Sequence, residues 1–213
     1  MAAHPLRMLG DPVLRTPARQ VDDIDDRISR LIEDMFATMD AAGGIGLAAP
    51  QIGVGLRMFT YDAAGDRGAI INPELRLIGE PAPTPRDIED GPAEGDNLLR
   101  EGCLSVTGIY SPVSRPQRAL LTGTSPEGTA VHMEASGLLA ACFQHEVDHL
   151  EGRLFLDRLT GDDRRRAMQA LRATAKAPED PRGRGGSGGR GAQSPSPTSA
   201  SSFFRSPALK EGR

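Results

Sequence analysis

The spacing of apolar residues predicts an amphipathic helix over residues 25–40. The apolar positions recur every three or four residues and so share one helical face; they are Ile28, Leu31, Ile32, Met35, Phe36 and Met39. Gly43 and Gly44 follow, and glycine just past the last turn is a common helix stop. Residues 6–23, which precede this helix, contain several turn-forming residues and are predicted to be irregular.

Two further helices are predicted in the last third of the domain. One begins near Ser136, whose hydroxyl makes it a suitable N-cap, and ends near Gly152. A shorter one covers about 160–175, where polar, Arg-rich positions surround Met168 and Leu171.

Short strands are predicted between the helices. Residues 56–62 and 69–72 flank a turn at Gly65, and residues 119–124 and 129–134 form a hairpin around a Ser-Pro-Glu-Gly turn. Because strands and helices do not alternate as in a βαβ-wound sheet, the sequence predicts an α+β fold. In that fold, short antiparallel sheets would pack around the central helix that begins near Ser136.

Composition changes sharply at Ala177, after which Pro, Gly, Ser and Arg dominate. We therefore expect a folded domain over 1–176 and a disordered tail over 177–213. The Pro-, Gly- and acid-rich residues 79–97 are expected to form an exposed loop.

The net charge of −4 conceals an acidic body and a basic end. Residues 164–213 carry 11 Lys or Arg and three Asp or Glu, whereas residues 1–163 carry 14 and 26. A basic tail can attract RNA phosphates, so a non-catalytic ribosome- or RNA-binding protein is one hypothesis. A solvated tail is the simpler interpretation, because Ser, Pro and Gly dilute the charge, and no sequence-specific nucleic-acid partner is expected.

No stretch approaches the roughly 18 consecutive apolar residues of a membrane span. The first residues lack the basic and apolar regions of a signal peptide. We therefore expect a cytoplasmic protein with no membrane partner. Its two cysteines, Cys103 and Cys142, are not expected to form a structural disulfide there.

The segment His145-Glu146-Val147-Asp148-His149 is the strongest chemical signal. On a helix, positions i and i+4 share a face, so both imidazoles can bind the same metal ion. Glu146 would lie near a water bound to that ion and could shuttle its proton during hydrolysis. The same pattern also arises by chance in a helix with two unrelated histidines.

Two histidines are too few, because a catalytic metal site usually has three protein ligands and one position for water. Candidates for the third ligand are Cys103, Cys142, His132 and a distant carboxylate. Cys142 lies three residues before His145, but a free cysteine in such a position is more often a small core residue. Cys103 follows Gly102, which allows the backbone to approach another group closely.

Residues 44–51, Gly-Ile-Gly-Leu-Ala-Ala-Pro-Gln, form a third notable segment. Two glycines followed by small residues suit a loop whose backbone lies against a ligand, although a helix stop and a turn would explain them equally. The Lys-Ser/Thr ending of a phosphate-binding loop is missing from this segment, so phosphate binding is not expected.

Taken together, these three segments resemble the peptide deformylase family. The family motifs G-x-G-L-A-A-x-Q, E-G-C-L-S and Q-H-E-x-D-H-L occur in this order at 44–51, 101–105 and 144–150. The joint match is far more specific than any single motif, and the resemblance spans about residues 5–165.

The resemblance implies a bacterial enzyme that removes the formyl group from the N-terminal formyl-methionine of newly synthesised polypeptides. These nascent chains would be its partners, with the ribosome near its exit tunnel as a further candidate. Cys103, His145 and His149 would hold one divalent ion, often Fe²⁺ in the family, with Zn²⁺, Ni²⁺ or Co²⁺ able to replace it. A thiolate ligand suits Fe²⁺ and implies an oxygen-sensitive iron form.

The resemblance also implies the catalytic roles. Glu146 would take a proton from the metal-bound water and later deliver it to the leaving amine. The Gln51 side-chain amide and the Leu104 backbone N–H would donate hydrogen bonds to the formyl oxygen as it gains negative charge.

Substrate-binding residues follow from the same resemblance. Ile45, Gly46 and Gly102 would meet the substrate backbone as an added strand. An apolar slot for the methionine side chain would be lined by Leu99, Leu104, Leu138, Ala141 and Cys142, although each of these could equally be plain core.

This sequence departs from the family pattern in three places. Thr107 stands where the family frequently has Pro, and Tyr110 where it frequently has Arg. The segment 79–98 is longer than its counterpart in compact members. These differences concern the rim and shape of the substrate pocket and not the metal site. The alternative function is that of an H-E-x-x-H zinc peptidase, which explains the helix but gives Cys103 and Gln51 no role.

Overall fold

The computed structural model of the chain describes residues 2–81, 100–176 and 204–205. Its helices are α1 (Asp26–Ala41), α2 (Gly137–Leu150), α3 (Phe155–Arg158) and α4 (Gly161–Lys176). Its strands are β1 (Gly46–Ala48), β2 (Met58–Ala63), β3 (Asp66–Pro81), β4 (Arg100–Cys103), β5 (Val106–Pro112), β6 (Pro116–Thr124), β7 (Ala130–Ser136) and β8 (Phe204–Arg205).

The predicted α+β fold is confirmed. Five antiparallel strands form one sheet in the order β1-β2-β3-β6-β7, and three form a second sheet in the order β5-β4-β8. Helix α2 packs against strands of the larger sheet, and every residue of α2 from Leu139 to Leu150 is buried. The helix that carries the H-E-x-x-H segment is therefore the centre of the core.

Helix α1 confirms the first predicted helix. The Asp25 carboxylate caps it by accepting hydrogen bonds from the backbone N–H groups of Arg27 and Ile28. At its end Gly43 adopts a φ of 64°, and the N–H of Gly44 donates to the carbonyl of Met39 at 2.9 Å. These glycine contacts satisfy terminal carbonyls and turn the chain towards β1.

Residues 44–51 are more regular than predicted. Instead of a loop, they form strand β1, which pairs antiparallel with β2, followed by a 3-10 helix over Ala49–Ile52. All residues of β1 are buried. Small side chains suit this strand because its backbone lies between β2 and α2.

Strand β3 is much longer than the predicted residues 69–72. A register shift between Ile71 and Glu74 carries the strand past Pro73, beyond the predicted end at residue 72. Asn72 adopts a φ of 51°, and its side-chain amide exchanges two hydrogen bonds of 2.9 Å with the backbone of Val21. Residues 79–81 of the expected loop belong to β3, and residues 82–97 lie outside the described residues.

The other predicted elements are confirmed with small changes. Strands β6 and β7 form the expected hairpin, and α2 and α4 are the expected helices. Residues 6–23 are irregular except for a 3-10 helix over Pro12–Arg15. The predicted disordered tail over 177–213 lies outside the described residues, apart from the backbone of β8, which pairs with β4.

An aromatic cluster anchors α2 to the larger sheet. The Phe143 ring lies 5.8 Å from that of Phe59 and 5.0 Å from that of Tyr61, and the two phenylalanines are fully buried. Within the described part of the chain, no helix is both long and apolar enough to cross a membrane.

Candidate metal and catalytic site

Three buried side chains from two elements converge on one point. Cys103 ends strand β4, and His145 and His149 lie one turn apart on α2. One potential ligand atom from each lies within 4.8 Å of the other two, and the Cys103 Sγ is 3.2 Å from the Nε2 of His149. Such a set of one thiolate and two imidazoles fits a divalent metal ion.

The other candidate ligands lie elsewhere. Cys142 is fully buried, and its thiol donates to the carbonyl of Ile45 at 3.4 Å, which agrees with a packing role. His132 is exposed on β7 opposite Thr122. The structure therefore brings Cys103, and neither of these two residues, to the histidine pair.

Burial affects the protonation of Cys103 and His149. Desolvation, together with the charges of Glu146 and Glu101, raises the pKa of the Cys103 thiol to about 12, despite opposing backbone N–H groups. Desolvation also holds the pKa of His149 well below its usual value, with a smaller contribution from the neighbouring His145. A bound cation deprotonates a coordinating thiol, and a neutral imidazole is a metal ligand, so the side chains fit a metal centre.

A buried carboxylate orients His145. The Nδ1 of His145 is 3.1 Å from the Oε2 of Glu101. A carboxylate in this position fixes the ring orientation of a metal-binding histidine. Burial alone would raise the pKa of Glu101, but Arg115 and His145 together lower it to about 2. Glu101 is therefore ionised and available as an acceptor.

Glu146 is fully buried beside the ligand cluster. Neither of its carboxylate oxygens has a hydrogen-bond partner among the described residues. Burial, and next the charge of Glu101, hold its pKa well above the usual value. A Cβ at Gly46 would lie only 2.3 Å from its Oε1, so the missing side chain of Gly46 makes room for this carboxylate.

The Gln51 side chain is fixed with its amide nitrogen towards Cys103. Its Oε1 accepts from the backbone N–H of Ala48 at 2.8 Å. Its Nε2 donates to the Oγ of Ser105 at 3.3 Å and lies 3.7 Å from the Cys103 Sγ. Leu104, adjacent to Cys103, is buried, so both predicted donors lie next to the candidate ligand Cys103.

Three of the residues predicted to bind substrate, Leu138, Ala141 and Cys142, lie on α2 itself. Ile45, Gly46, Gly102, Ala141 and Cys142 are buried, and Leu138 is partly buried against the core. Leu99 lies outside the described residues. Strand β5 pairs with one edge of β4, and β8 reaches the other edge at Arg100 and Glu101.

Sequence reasoning missed the buried ion pairs behind the site. Arg115 forms two hydrogen bonds with the Glu101 carboxylate and donates one to Asp148 at 3.0 Å. Arg158, at the end of α3, also binds Asp148. Asp148 lies inside the H-E-x-x-H segment, but only the tertiary structure reveals which cations face it.

Comparisons with known proteins place the chain among similar sequences. A sequence model described as polypeptide deformylase matches residues 3–165. A peptide deformylase from Acidothermus cellulolyticus is 47% identical over 172 residues, covering 81% of this chain and 87% of that protein.

Solved structures show the same similarity. A peptide deformylase from Synechococcus elongatus in complex with actinonin has a TM-score of 0.69 and 36% identity over 80% of this chain and 86% of that one. A peptide deformylase from Legionella pneumophila has a TM-score of 0.68 and 36% identity, covering 83% of this chain and 100% of that one.

Proposed function

The chain belongs to the polypeptide deformylase family, and from this membership we propose which residues carry out its reaction. The reaction is the metal-dependent hydrolysis of the formyl group from the N-terminal formyl-methionine of newly synthesised proteins. A zinc peptidase function is not favoured, because the relatives are deformylases and that function leaves Cys103 and Gln51 without roles.

Cys103, His145 and His149 are the proposed ligands of one divalent ion. The observation that carries this proposal is the convergence of their buried ligand atoms within 4.8 Å. When bound, the ion polarises the formyl carbonyl and lowers the pKa of the attacking water. Glu101 supports this set by fixing the His145 ring.

Fe²⁺ is the proposed ion, because a thiolate is a suitable ligand for iron; Zn²⁺, Ni²⁺ and Co²⁺ are the alternatives. Anaerobic purification followed by elemental analysis tests this proposal. We expect about one iron per chain and activity that decays in air, since an iron–thiolate centre is oxidisable. A zinc-loaded, air-stable enzyme from the same preparation would contradict the choice of iron.

Glu146 is the proposed proton carrier. Its buried carboxylate takes a proton from the attacking water and gives it to the leaving amine. Burial raises its pKa, whereas the positive charge of a neighbouring ion lowers it again. These opposing effects suit a group that must both accept and donate a proton near neutral pH.

Gln51 and Leu104 are the proposed donors to the formyl oxygen. The Gln51 amide is held by Ala48 and Ser105, so its direction is set before substrate arrives. Preorganised donors of this kind stabilise negative charge as it develops, and the loss of one donor typically costs about 100- to 1,000-fold in kcat. We expect Gln51→Ala to lose activity in that range while it keeps its metal.

The substrate backbone is proposed to pair with Ile45, Gly46 and Gly102. An extended peptide can add to an exposed strand edge through its main chain. Of the two edges of β4, one pairs with β5, and among the described residues β8 pairs with the other at Arg100 and Glu101. The methionine side chain is proposed to lie against Leu99, Leu104, Leu138, Ala141 and Cys142.

An anaerobic formate-release assay with formyl-Met-Ala-Ser tests Glu146. We expect Glu146→Ala to bind as much metal as the wild type and to lose at least about 100-fold in kcat. Glu151→Ala is the matched control, because Glu151 caps the same helix at a partly exposed position. Full activity in Glu146→Ala would remove this residue from the mechanism.

Actinonin provides a second probe of the same site. It is bound in the Synechococcus elongatus deformylase structure, and we propose that it binds this chain at the metal centre. Competitive inhibition against formyl-Met-Ala-Ser is expected. Inhibition that is purely noncompetitive would place actinonin elsewhere.

The catalytic domain is proposed to span 1–176, and the enzyme is proposed to act in the cytoplasm on chains that emerge from the ribosome. Ribosome association is part of this proposal, with residues 177–213 as a candidate contact because of their basic charge. Co-sedimentation of the full chain with ribosomes should weaken as salt rises if phosphate contacts dominate. Salt-independent binding that persists without residues 177–213 would exclude a role for the tail.

A further inference from the structure

A chain of four charged side chains connects the protein surface to His145. Arg158 donates to both oxygens of Asp148, at 3.1 and 2.5 Å, and Arg115 donates to Asp148 at 3.0 Å. Arg115 also holds Glu101, with an Nη2 to Oε2 distance of 2.9 Å. The same Oε2 lies 3.1 Å from the Nδ1 of His145. We call Arg158, Asp148, Arg115 and Glu101 the ion-pair chain.

Only the outer end of the ion-pair chain reaches solvent. The side chain of Arg158 is 41% exposed, whereas those of Asp148, Arg115 and Glu101 are between 2 and 6% exposed. With Arg158 present, two carboxylates face two guanidinium groups. Without it, Arg115 alone would have to compensate two buried carboxylates, and a buried carboxylate that lacks a cation is strongly disfavoured.

Arg115 is therefore shared between two competing acceptors. In the structure it forms two hydrogen bonds with Glu101 and one with Asp148. Arg158 donates a hydrogen bond to each oxygen of Asp148. Two of the three hydrogen bonds of the Arg115 guanidinium group are therefore available to Glu101. If Arg158 were lost, Asp148 would draw Arg115 away from Glu101 and loosen the carboxylate that orients His145.

We propose that Arg158 is a positioning residue for the metal ligand His145, acting through Asp148, Arg115 and Glu101. This inference rests on the proposed metal ligands. It adds that the interactions that orient His145 continue from Glu101 to Arg158 at the protein surface. Outer groups that orient a metal-binding histidine typically alter metal affinity or activity by about 10- to 100-fold. Because Arg158 acts through three intermediaries, we expect a smaller change of about 3- to 10-fold, below that range.

A purely structural role for Arg158 must be separated from this one. Arg158 is the last residue of α3, so its bonds to Asp148 also tie α3 to α2. Loss of this tie would lower the stability of the domain but would not by itself change the geometry of a bound ion. The decisive measurements are therefore the visible absorption spectrum of bound Co²⁺ and the rate of Co²⁺ release to a chelator, made on the full-length protein.

Arg158→Gln is compared with Arg153→Gln, which removes the same charge from an arginine that pairs with Glu151 and is 53% exposed. We expect Arg158→Gln to shift the Co²⁺ spectrum, to release Co²⁺ about 3- to 10-fold faster and to lower kcat without a matching change in KM. Arg158→Lys should restore part of the effect, since it keeps the charge but not the two-pronged geometry. The control should match the wild type.

A double variant, Asp148→Asn with Arg158→Gln, tests whether the effect of Arg158 passes through the ion-pair chain. Neutralising Asp148 removes the competitor for Arg115, so the double variant should release Co²⁺ more slowly than Arg158→Gln alone. A wild-type spectrum and release rate in Arg158→Gln, or a double variant no better than the single one, would overturn the inference. Failure of the metal-ligand proposal is distinguishable, because the wild type itself would then not bind Co²⁺ stoichiometrically.

Discussion

Replacing Gly46 with alanine should disable Glu146 and leave the metal ligands in place. A Cβ at position 46 would lie 2.3 Å from the Oε1 of Glu146 and 3.0 Å from the Sγ of Cys142. Ordinary contacts of a Cβ begin near 3.4 Å, so the carboxylate must move by about 1 Å. Strand β1 cannot easily retreat, because Gly46 pairs with Tyr61 in the larger sheet.

The size of the effect follows from that displacement. A misplacement of about 1 Å in a catalytic site can cost about 100-fold in rate, or roughly 2.7 kcal/mol in the activation barrier. We expect this loss in kcat for formate release from formyl-Met-Ala-Ser, measured anaerobically with enzyme of known metal content. Metal content should match the wild type. The three atoms nearest to the new methyl group belong to Glu146 and Cys142, and none belongs to a proposed metal ligand.

Gly55→Ala is the matched control for this substitution. A Cβ at Gly55 meets no heavy atom within 4 Å, so the same chemical change should leave kcat unaltered. A Gly46→Ala enzyme with full metal content and a kcat within about twofold of the wild type would refute the reasoning, because such a rate leaves no room for a 1 Å displacement of an essential carboxylate.

Three stability predictions follow from the fold, each measured by urea denaturation of the metal-loaded chain. Phe143→Ala should cost about 3–5 kcal/mol, because it removes a fully buried ring. Asn72→Ala should cost about 2–3 kcal/mol by losing two hydrogen bonds at a φ of 51°. Gly152→Ala should cost more than Gly128→Ala, since both have positive φ but only Gly152 faces the Arg15 backbone, at 2.8 Å. Equal losses at the two glycines would contradict this comparison.

The helices could be predicted from local sequence because their signals are local. The apolar spacing of α1 and its Gly43-Gly44 end lie within the helix or next to its boundary. Ser136 does precede α2 as predicted, but its side chain makes no capping hydrogen bond. The full length of β3 could not be predicted, because Pro73 resembles a strand end. The strand continues only because a bulge and the positive φ of Asn72 carry the chain past it.

The candidate site divides in the same way. The i, i+4 spacing of His145 and His149 indicated two ligands on its own. Cys103, by contrast, is 42 residues before His145 in the sequence, and only the family resemblance selected it from four candidates. Arg115 and Arg158 were missed as partners of Glu101 and Asp148, since no periodic pattern records which charges meet between β4, α2, α3 and the segment that joins β5 to β6.

The charges around α2 favour a cation at the proposed metal site. Glu101 and Asp148 are buried, but Arg115 and Arg158 face them. Glu146 and Cys103 are equally buried, and burial raises the pKa of both groups. Ionisation of Glu146 and Cys103 therefore requires a nearby positive charge. The arginines Arg115 and Arg158 form their ion pairs with Glu101 and Asp148 instead. The Cys103, His145 and His149 ligand atoms converge, so the burial that disfavours the ionisation of Glu146 and Cys103 also favours the binding of a divalent ion.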